Sequence, residues 1–233
     1  MKETRSLNDE IRQERKKGLE GKPFSYRVKY FAEYYKWYVL GGLLVILIIV
    51  SIVRTMLNHK ESALCVAMVD ANFEVDYEGF IHDYEIESGL EDGYEMTMDS
   101  TYATMTDGSG YLDMSSQEKL FVTIAGGQTD LVIAPAPAFE RMAQSAYVKD
   151  LREVLSEEEL DKYADRILIA DVPNDPDDPN SGTTKVYAGI DISDAAKVKD
   201  GKWYIFVEDP VYCGICATSA NEQRAVDFIN YLW

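Results

Sequence analysis

Cysteine is scarce in this chain, with three in 233 residues, and an odd number argues against a disulfide framework. Histidine is scarcer still. His59 and His82 have no companion at metal-ligand spacing, and there is no H-E-x-x-H, no Gly-rich phosphate loop and no G-x-S-x-G elbow. Ser109 lies in Asp107-Gly108-Ser109-Gly110, which reads as a flexible turn rather than the setting of a nucleophile. No internal repeat is present. No catalytic residue, metal or cofactor is therefore expected, and an enzyme is the weakest of the readings weighed here.

Cations are also unevenly missing. Eleven of the 23 Lys+Arg and six of the 41 Asp+Glu precede residue 58, leaving twelve and thirty-five behind it, a balance of −23 over residues 58–233. Between the two parts lies residues 37–53, a run without any charge in which twelve of seventeen positions are Leu, Ile or Val. At about 0.3–0.6 kcal/mol for each such side chain, insertion into a bilayer is favoured by roughly 4–7 kcal/mol. A soluble core helix would show a polar face at helical spacing, and this run has none. Lys36 and Arg54 bracket the run, and Met56 with Leu57 extends its apolar length.

Three segments follow: a basic and aromatic lead at 1–36, a transmembrane signal anchor at 37–57, and an α/β domain at 58–233. Arg27, Lys29 and Lys36 stand close before the span, while only Arg54 and Lys60 follow it. The positive-inside rule therefore keeps the N-terminus in the cytoplasm and places the large domain outside the cell membrane. A cleaved signal peptide is the rival, but its basic region would be unusually long and no A-x-A-like site follows. Leu64 before Cys65 does not fit a lipoprotein. Aromatics from Phe24 to Tyr35 interleave with the basic residues, as in a helix lying at the headgroups and running into the span. Nucleic acid, the other partner that basic and aromatic residues suit, is not expected beside a membrane.

In the exported part, residues 62–71 form an apolar run of strand length, as in a strand buried on both faces. Asn72 is a plausible helix cap, with Phe73, Tyr77, Phe80, Ile81 and Tyr84 at helical spacing up to Gly89. Residues 94–99 alternate as a strand, and 101–113 read as a polar loop. Three capping boxes are expected, Ser115 with Glu118, Ser156 with Glu159 and Ser219 with Glu222. The first opens a helix through Leu120, Phe121 and Ile124. Pro137 opens another after a strand at 130–134. Strands are expected at 167–170, 185–192, 202–208 and 212–218, with Asp200-Gly201 as a turn between two of them. The last helix presents Ala225, Val226, Phe228, Ile229 and Leu232 inward. Such alternation predicts a mostly parallel sheet with helices on both faces.

Cys213 and Cys216 make a C-x-x-C, which in a thioredoxin-like site would sit at a helix N-terminus. Here the pair falls in a predicted strand, where residues three apart face opposite ways and a disulfide needs a bend that Gly214 would have to supply. Buried, unpaired thiols are the simpler reading. Two acidic loops have calcium-ligand residues. In residues 107–118, however, Leu112 occupies the position where an EF-hand loop needs Gly. Asp175, Asp177 and Asp178 stand beside Pro176 and Pro179, as in a solvated turn.

The segment DLVIAPAPAFERMAQSAYVKDL resembles the type 2 periplasmic solute-binding proteins, in which a strand of the "DVVI" kind leads to a helix and a "G-x-L-x-D-L" segment. Tyr187-Ala188-Gly189-Ile190 resembles that family's "Y-G-I-P" strand, with Asp191 in place of Pro. YCGICATSANEQRAVDFINYL is similar to its closing strand and helix, by which the chain re-enters the first lobe. EYYKWYVLGG is similar to the lead of single-pass membrane proteins of Gram-positive bacteria. The resemblance covers roughly residues 62–232. It implies a single, reduced solute-binding lobe, because the 192–208 segment is too short for a second one. Open α/β sheets place ligands at the carboxyl ends of their strands, so the expected ligand-binding residues are Asn72, Phe73, Thr101, Tyr102, Asp107, Pro135 and Ala136. A concave pocket lined by aromatics such as Tyr102, Tyr111 and Tyr187 would favour a binding module. A binding or sensing module is the leading expectation. The alternative is a structural or assembly protein of a membrane or cell-envelope complex.

Overall fold

The computed structural model describes residues 21, 23–57, 60–73, 76–90, 93–105, 111–175, 182–201, 203–206 and 210–233. The chain divides into two units, with the break between residues 59 and 60.

The first unit is one helix, α1 (Phe24–Leu57), 34 residues long and starting directly after Pro23. Within it, Tyr35–Leu57 is a 23-residue stretch of mean hydropathy 2.5 with no buried residue. At 1.5 Å per residue it is about 35 Å long, enough to cross a hydrocarbon core of about 30 Å. Among the described residues it is the one helix long and apolar enough to do so. The aromatic lead and the span form one unbroken helix.

The second unit is an α/β domain. Its strands are β1 (Glu61–Val69), β2 (Ala71–Phe73), β3 (Tyr94–Tyr102), β4 (Leu131–Pro135), β5 (Ile167–Pro173), β6 (Thr183–Asp191), β7 (Tyr204–Phe206) and β8 (Val211–Ile215). Helices α2 (Tyr77–Glu87), α3 (Met114–Ala125), α4 (Ala136–Gln144), α5 (Glu157–Lys162), α6 (Ala196–Lys199) and α7 (Glu222–Tyr231) connect or follow them. Six strands form one sheet in the order β3-β1-β4-β8-β6-β5. β3, β1 and β4 are parallel neighbours, whereas β8 runs antiparallel to both β4 and β6, and β5 antiparallel to β6. The sheet is thus mixed: four strands share one direction, and the late strand β8 returns to its middle.

Both faces of the sheet are covered, which is why β4, and β1 from Ala63 onward, are apolar. Leu64, Val66 and Met68 pack on one face with Phe80 and Tyr84 of α2 and with Ala225, Phe228 and Ile229 of α7. Ala67 and Val69 pack on the other with Leu120 and Ile124 of α3 and with Ala138, Phe139 and Met142 of α4. Aromatic rings lock the first face: Phe80 stacks on Trp203 at 3.9 Å, and Tyr84 meets Phe228 edge-on at 5.2 Å.

Several local expectations change in the folded chain. Asn72 caps no helix. It lies in β2 opposite Ile205 of β7, and α2 begins only at Tyr77. The turn at Asp200-Gly201 joins no hairpin, because β6 and β7 are separated by α6 and β7 pairs with β2 instead. The polar loop starts later than expected, since Thr101 and Tyr102 complete β3. Ser115 is not the cap of α3. Asp113 is, its carboxylate accepting the Ser116 N–H at 2.8 Å, and a carboxylate there also suits the helix dipole. Phe121 is exposed, because Ser116, Leu120 and Ile124 form the inward stripe. The box of Ser156 with Glu159 forms as expected. Ser219 and Glu222 do not make one. Ser219 donates its hydroxyl to Asp130, Glu222 pairs with Lys149, and the residue before α7 is Asn221.

Candidate functional site

The sheet brings the carboxyl ends of β1, β3 and β4 side by side. Asp70, at φ 49°, turns the chain there. Its N–H donates to the Tyr102 carbonyl at 3.0 Å, and its carboxylate accepts the Thr104 N–H at 2.9 Å and the Thr104 hydroxyl at 2.6 Å. Of the residues expected to bind ligand, Asn72 is exposed on β2, and Phe73 lies in β2 opposite Tyr204. Thr101 is exposed, but its hydroxyl is bonded to Asp99 at 2.6 Å and to Lys119 at 2.6 Å. Tyr102 is buried beneath the Lys119 ammonium, which sits 4.8 Å from its ring. Pro135 is buried, and Ala136 donates its N–H to the Pro210 carbonyl at 2.9 Å. Asp107 lies outside the described residues.

One hollow lies between α3 and α4, and a second lies beyond the carboxyl end of β6. The tighter one, about 180 Å³, is lined by Tyr111 and Leu112 from the connection that leaves β3, by Gln117 of α3, by Arg141 and Met142 of α4, and by Tyr147. The Arg141 guanidinium lies 4.1 Å from the centre of the Tyr111 ring and donates to the Tyr111 hydroxyl at 3.0 Å. This stack makes a flat wall, with one cation already engaged. The second hollow is an open cleft of about 630 Å³ beside Ser193, Asp194, Lys199, Tyr204, Phe206 and Pro210. The Tyr204 and Phe206 rings stack at 5.3 Å, and burial pushes the Tyr204 hydroxyl up to about 12. Asp194 pairs with Lys199 and Arg166, whose hydrogen bonds hold its carboxyl below the usual range. An ion-paired rim over an apolar floor is suited to binding.

Of the expected residues whose side chains are described, Asn72, Thr101, Tyr102, Pro135 and Ala136, none lines either hollow. Among Tyr102, Tyr111 and Tyr187, Tyr111 alone does, while Tyr187 stands under the Arg152 guanidinium at 4.8 Å. Sequence reasoning missed Arg141, Gln117 and Tyr147. The available signal was the run Leu120-Phe121-Val122, three adjacent apolar residues that one helix cannot all turn to the core; Phe121 and Val122 are left exposed.

The cysteines are unpaired. Cys213 is buried on the α2–α7 face and Cys216 on the α3–α4 face, as strand residues three apart must be. Burial raises both thiols far above their ordinary value, and the Asp130 charge adds to this at Cys216. Such thiols are neutral and unreactive at neutral pH. Among the described residues no group of three or more His, Cys, Asp or Glu is placed to hold a metal. Asp113 is occupied as a helix cap, and His82 is exposed. His59, residues 106–110, Asp177 and Asp178 lie outside the described residues.

Compared with protein-family models the chain matches none, and compared with curated proteins it finds no match.

Proposed function

We propose that this chain is a single-pass membrane protein whose N-terminus stays in the cytoplasm and whose residues 58–233 form an extracellular binding or sensing module built as a reduced solute-binding-like lobe. The observation that carries the reading is the pairing of an apolar helical span with a separate α/β unit that carries two hollows. The placement of β8, antiparallel beside β4 and followed by α7, supports the likeness to a lobe closed by a returning strand and helix. A single lobe gives a ligand one wall, so a small solute buries little surface and is held weakly unless a partner supplies the other side.

The orientation rests on Arg27, Lys29 and Lys36 before the span. Protease added to intact cells is expected to remove residues 58–233 and spare residues 1–36. A large domain that survives until the cells are broken would reverse the assignment.

The binding role is tested by a thermal-shift screen of the full chain in nanodiscs against sugars, amino acids, peptides and small anions. The balance of −23 repels anions at long range. Neutral or cationic compounds are therefore expected to raise the melting temperature, and phosphorylated or dicarboxylate solutes are not. Submicromolar binding of such an anion by the monomer would contradict this reading, and a screen without any hit would count against a small-solute module.

A further inference from the structure

We propose that the outer face of α3, together with the hollow between α3 and α4, docks a basic protein segment that inserts one large apolar side chain; this deepens the binding role above and rests on it. On α3, Leu120 and Ile124 are spent on the core, yet the solvent side carries Met114 at 82% exposure, Phe121 at 55% and Val122 at 59%. Soluble surfaces scatter such residues singly. Here Met114, Gln117 and Phe121 follow one another at helical spacing on one face. Tyr147 continues the surface, its ring 6.4 Å from that of Phe121, and also lines the hollow. Met, Tyr and Arg are the residue types that protein interfaces favour.

The hollow between the helices has the size of one side chain. A cavity of roughly 150 Å³ admits a benzene ring, and this one measures about 180 Å³ with an Arg–Tyr stack as one wall. A pocket filled by a single anchor and ringed by apolar contacts is the usual form of an interface hot spot.

Charge selects the partner. The cations on this face are already engaged, Lys119 with Asp99 and Arg141 with Tyr111. Glu118 is exposed, and among the described residues it has no cation within ion-pair distance. It lies on the same face of α3 as Met114 and Phe121, four residues after one and three before the other, and asks for Lys or Arg in the incoming segment. A second copy of this chain fits poorly, because it would bring the same carboxylate and another −23 to the contact.

The test uses the full chain in nanodiscs and fluorescent peptides of about a dozen residues, each with several Lys around a central Trp, Leu or Ala. A matched set carries Asp in place of Lys. The Trp-centred Lys peptide is expected to bind about tenfold more tightly than the Ala-centred one, and the Asp set is expected not to bind. Phe121→Ser, which removes the rim, and Ser145→Phe, which crowds the mouth of the hollow, should each weaken binding about tenfold. Ile86→Ser, at an exposed apolar residue of α2, should leave it unchanged. All three positions are exposed, so folding is expected to survive, and near-ultraviolet circular dichroism checks it. Equal binding of the Trp and Ala peptides would reduce the effect to charge and overturn the proposal. So would a concentration-dependent dimer abolished by Phe121→Ser, which would make the occupant a second copy. Failure of every peptide also overturns it, while the solute screen judges the binding-module reading independently.

Discussion

Asp130→Ala is expected to lower the stability of the α/β unit by about 3–5 kcal/mol, the larger of the two effects argued here. Asp130 is buried at the amino edge of β4. One carboxylate oxygen accepts the Cys65 N–H at 2.9 Å, and the other accepts the Ser219 hydroxyl at 2.7 Å and the Asn221 side-chain amide at 3.2 Å. Its main chain joins the same elements, with its N–H bonded to the Cys65 carbonyl and its carbonyl to the Cys216 N–H. One residue thus ties β1, β4, the end of β8 and the entry to α7, its side chain reaching β1 and the entry to α7. Truncation leaves three donors facing a void, and a buried unsatisfied donor costs about 1–3 kcal/mol. At roughly 2–4 °C per kcal/mol for a domain of this size, the melting temperature should fall by about 6–20 °C. Asp130→Asn should fall about half as far: its carbonyl still accepts from Ser219 and Asn221, but its amide opposes the Cys65 N–H. Near-ultraviolet dichroism, to which buried Trp203 contributes, reads the transition. An Ala variant melting within about 2 °C of the parent would show that the network carries no stability.

That network was hidden for a physical reason. Ser219 with Glu222 reads as a capping box because both residues stand at the right spacing for a local reciprocal bond. In the folded chain each finds a partner far away in sequence, Asp130 and Lys149, and the buried carboxylate takes precedence over the cap. The same competition moved Asn72. Its cap propensity is real, but cross-strand pairing of β2 with β7 claims it, and two three-residue strands leave no periodic signature in the sequence. Signals fulfilled within one element survived. The apolar runs of β1 and β4 are buried on both faces, Ser156 caps its helix, and the inward stripe of α7 is the one its spacing predicts.

The candidate site was less legible than the fold. The rule that ligands gather at the carboxyl ends of parallel strands names one end of the sheet. It does not say which side chains remain available there. Thr101 is consumed by Asp99 and Lys119, and Pro135 and Tyr102 are covered. The lining comes instead from residues one helix turn or more beyond the strand ends, Gln117 and Arg141. Their position depends on how closely α3 and α4 approach the sheet.

That approach is set by two glycines. Gly189 of β6 and Gly214 of β8 lie beneath Phe139, the fully buried ring of α4. A Cβ at Gly189 would stand 2.5 Å from Phe139 Cε1 and 2.9 Å from the Cys213 carbonyl oxygen. At Gly214 it would stand 2.6 Å from Phe139 Cζ and 2.8 Å from the Ala188 carbonyl oxygen. Neither glycine has a positive φ, so the requirement is for space and not for backbone freedom. Gly214→Ala is expected to cost about 2–3 kcal/mol by overpacking, and Gly189→Ala about as much. Phe139→Leu removes the ring atoms that clash but leaves the carbonyls in place. Added to Gly214→Ala it should therefore restore part of the loss, with a coupling of about 1 kcal/mol in a double-mutant cycle. Arg141 and Met142 lie two and three residues beyond Phe139 on the same helix, so lifting α4 off the sheet deforms the hollow they line. Gly214→Ala should then weaken binding of the Trp-centred peptide more than the loss of folded protein explains. A variant that is destabilised but binds with unchanged affinity would separate the glycine pair from the site, and an unchanged melting temperature would remove the packing argument itself.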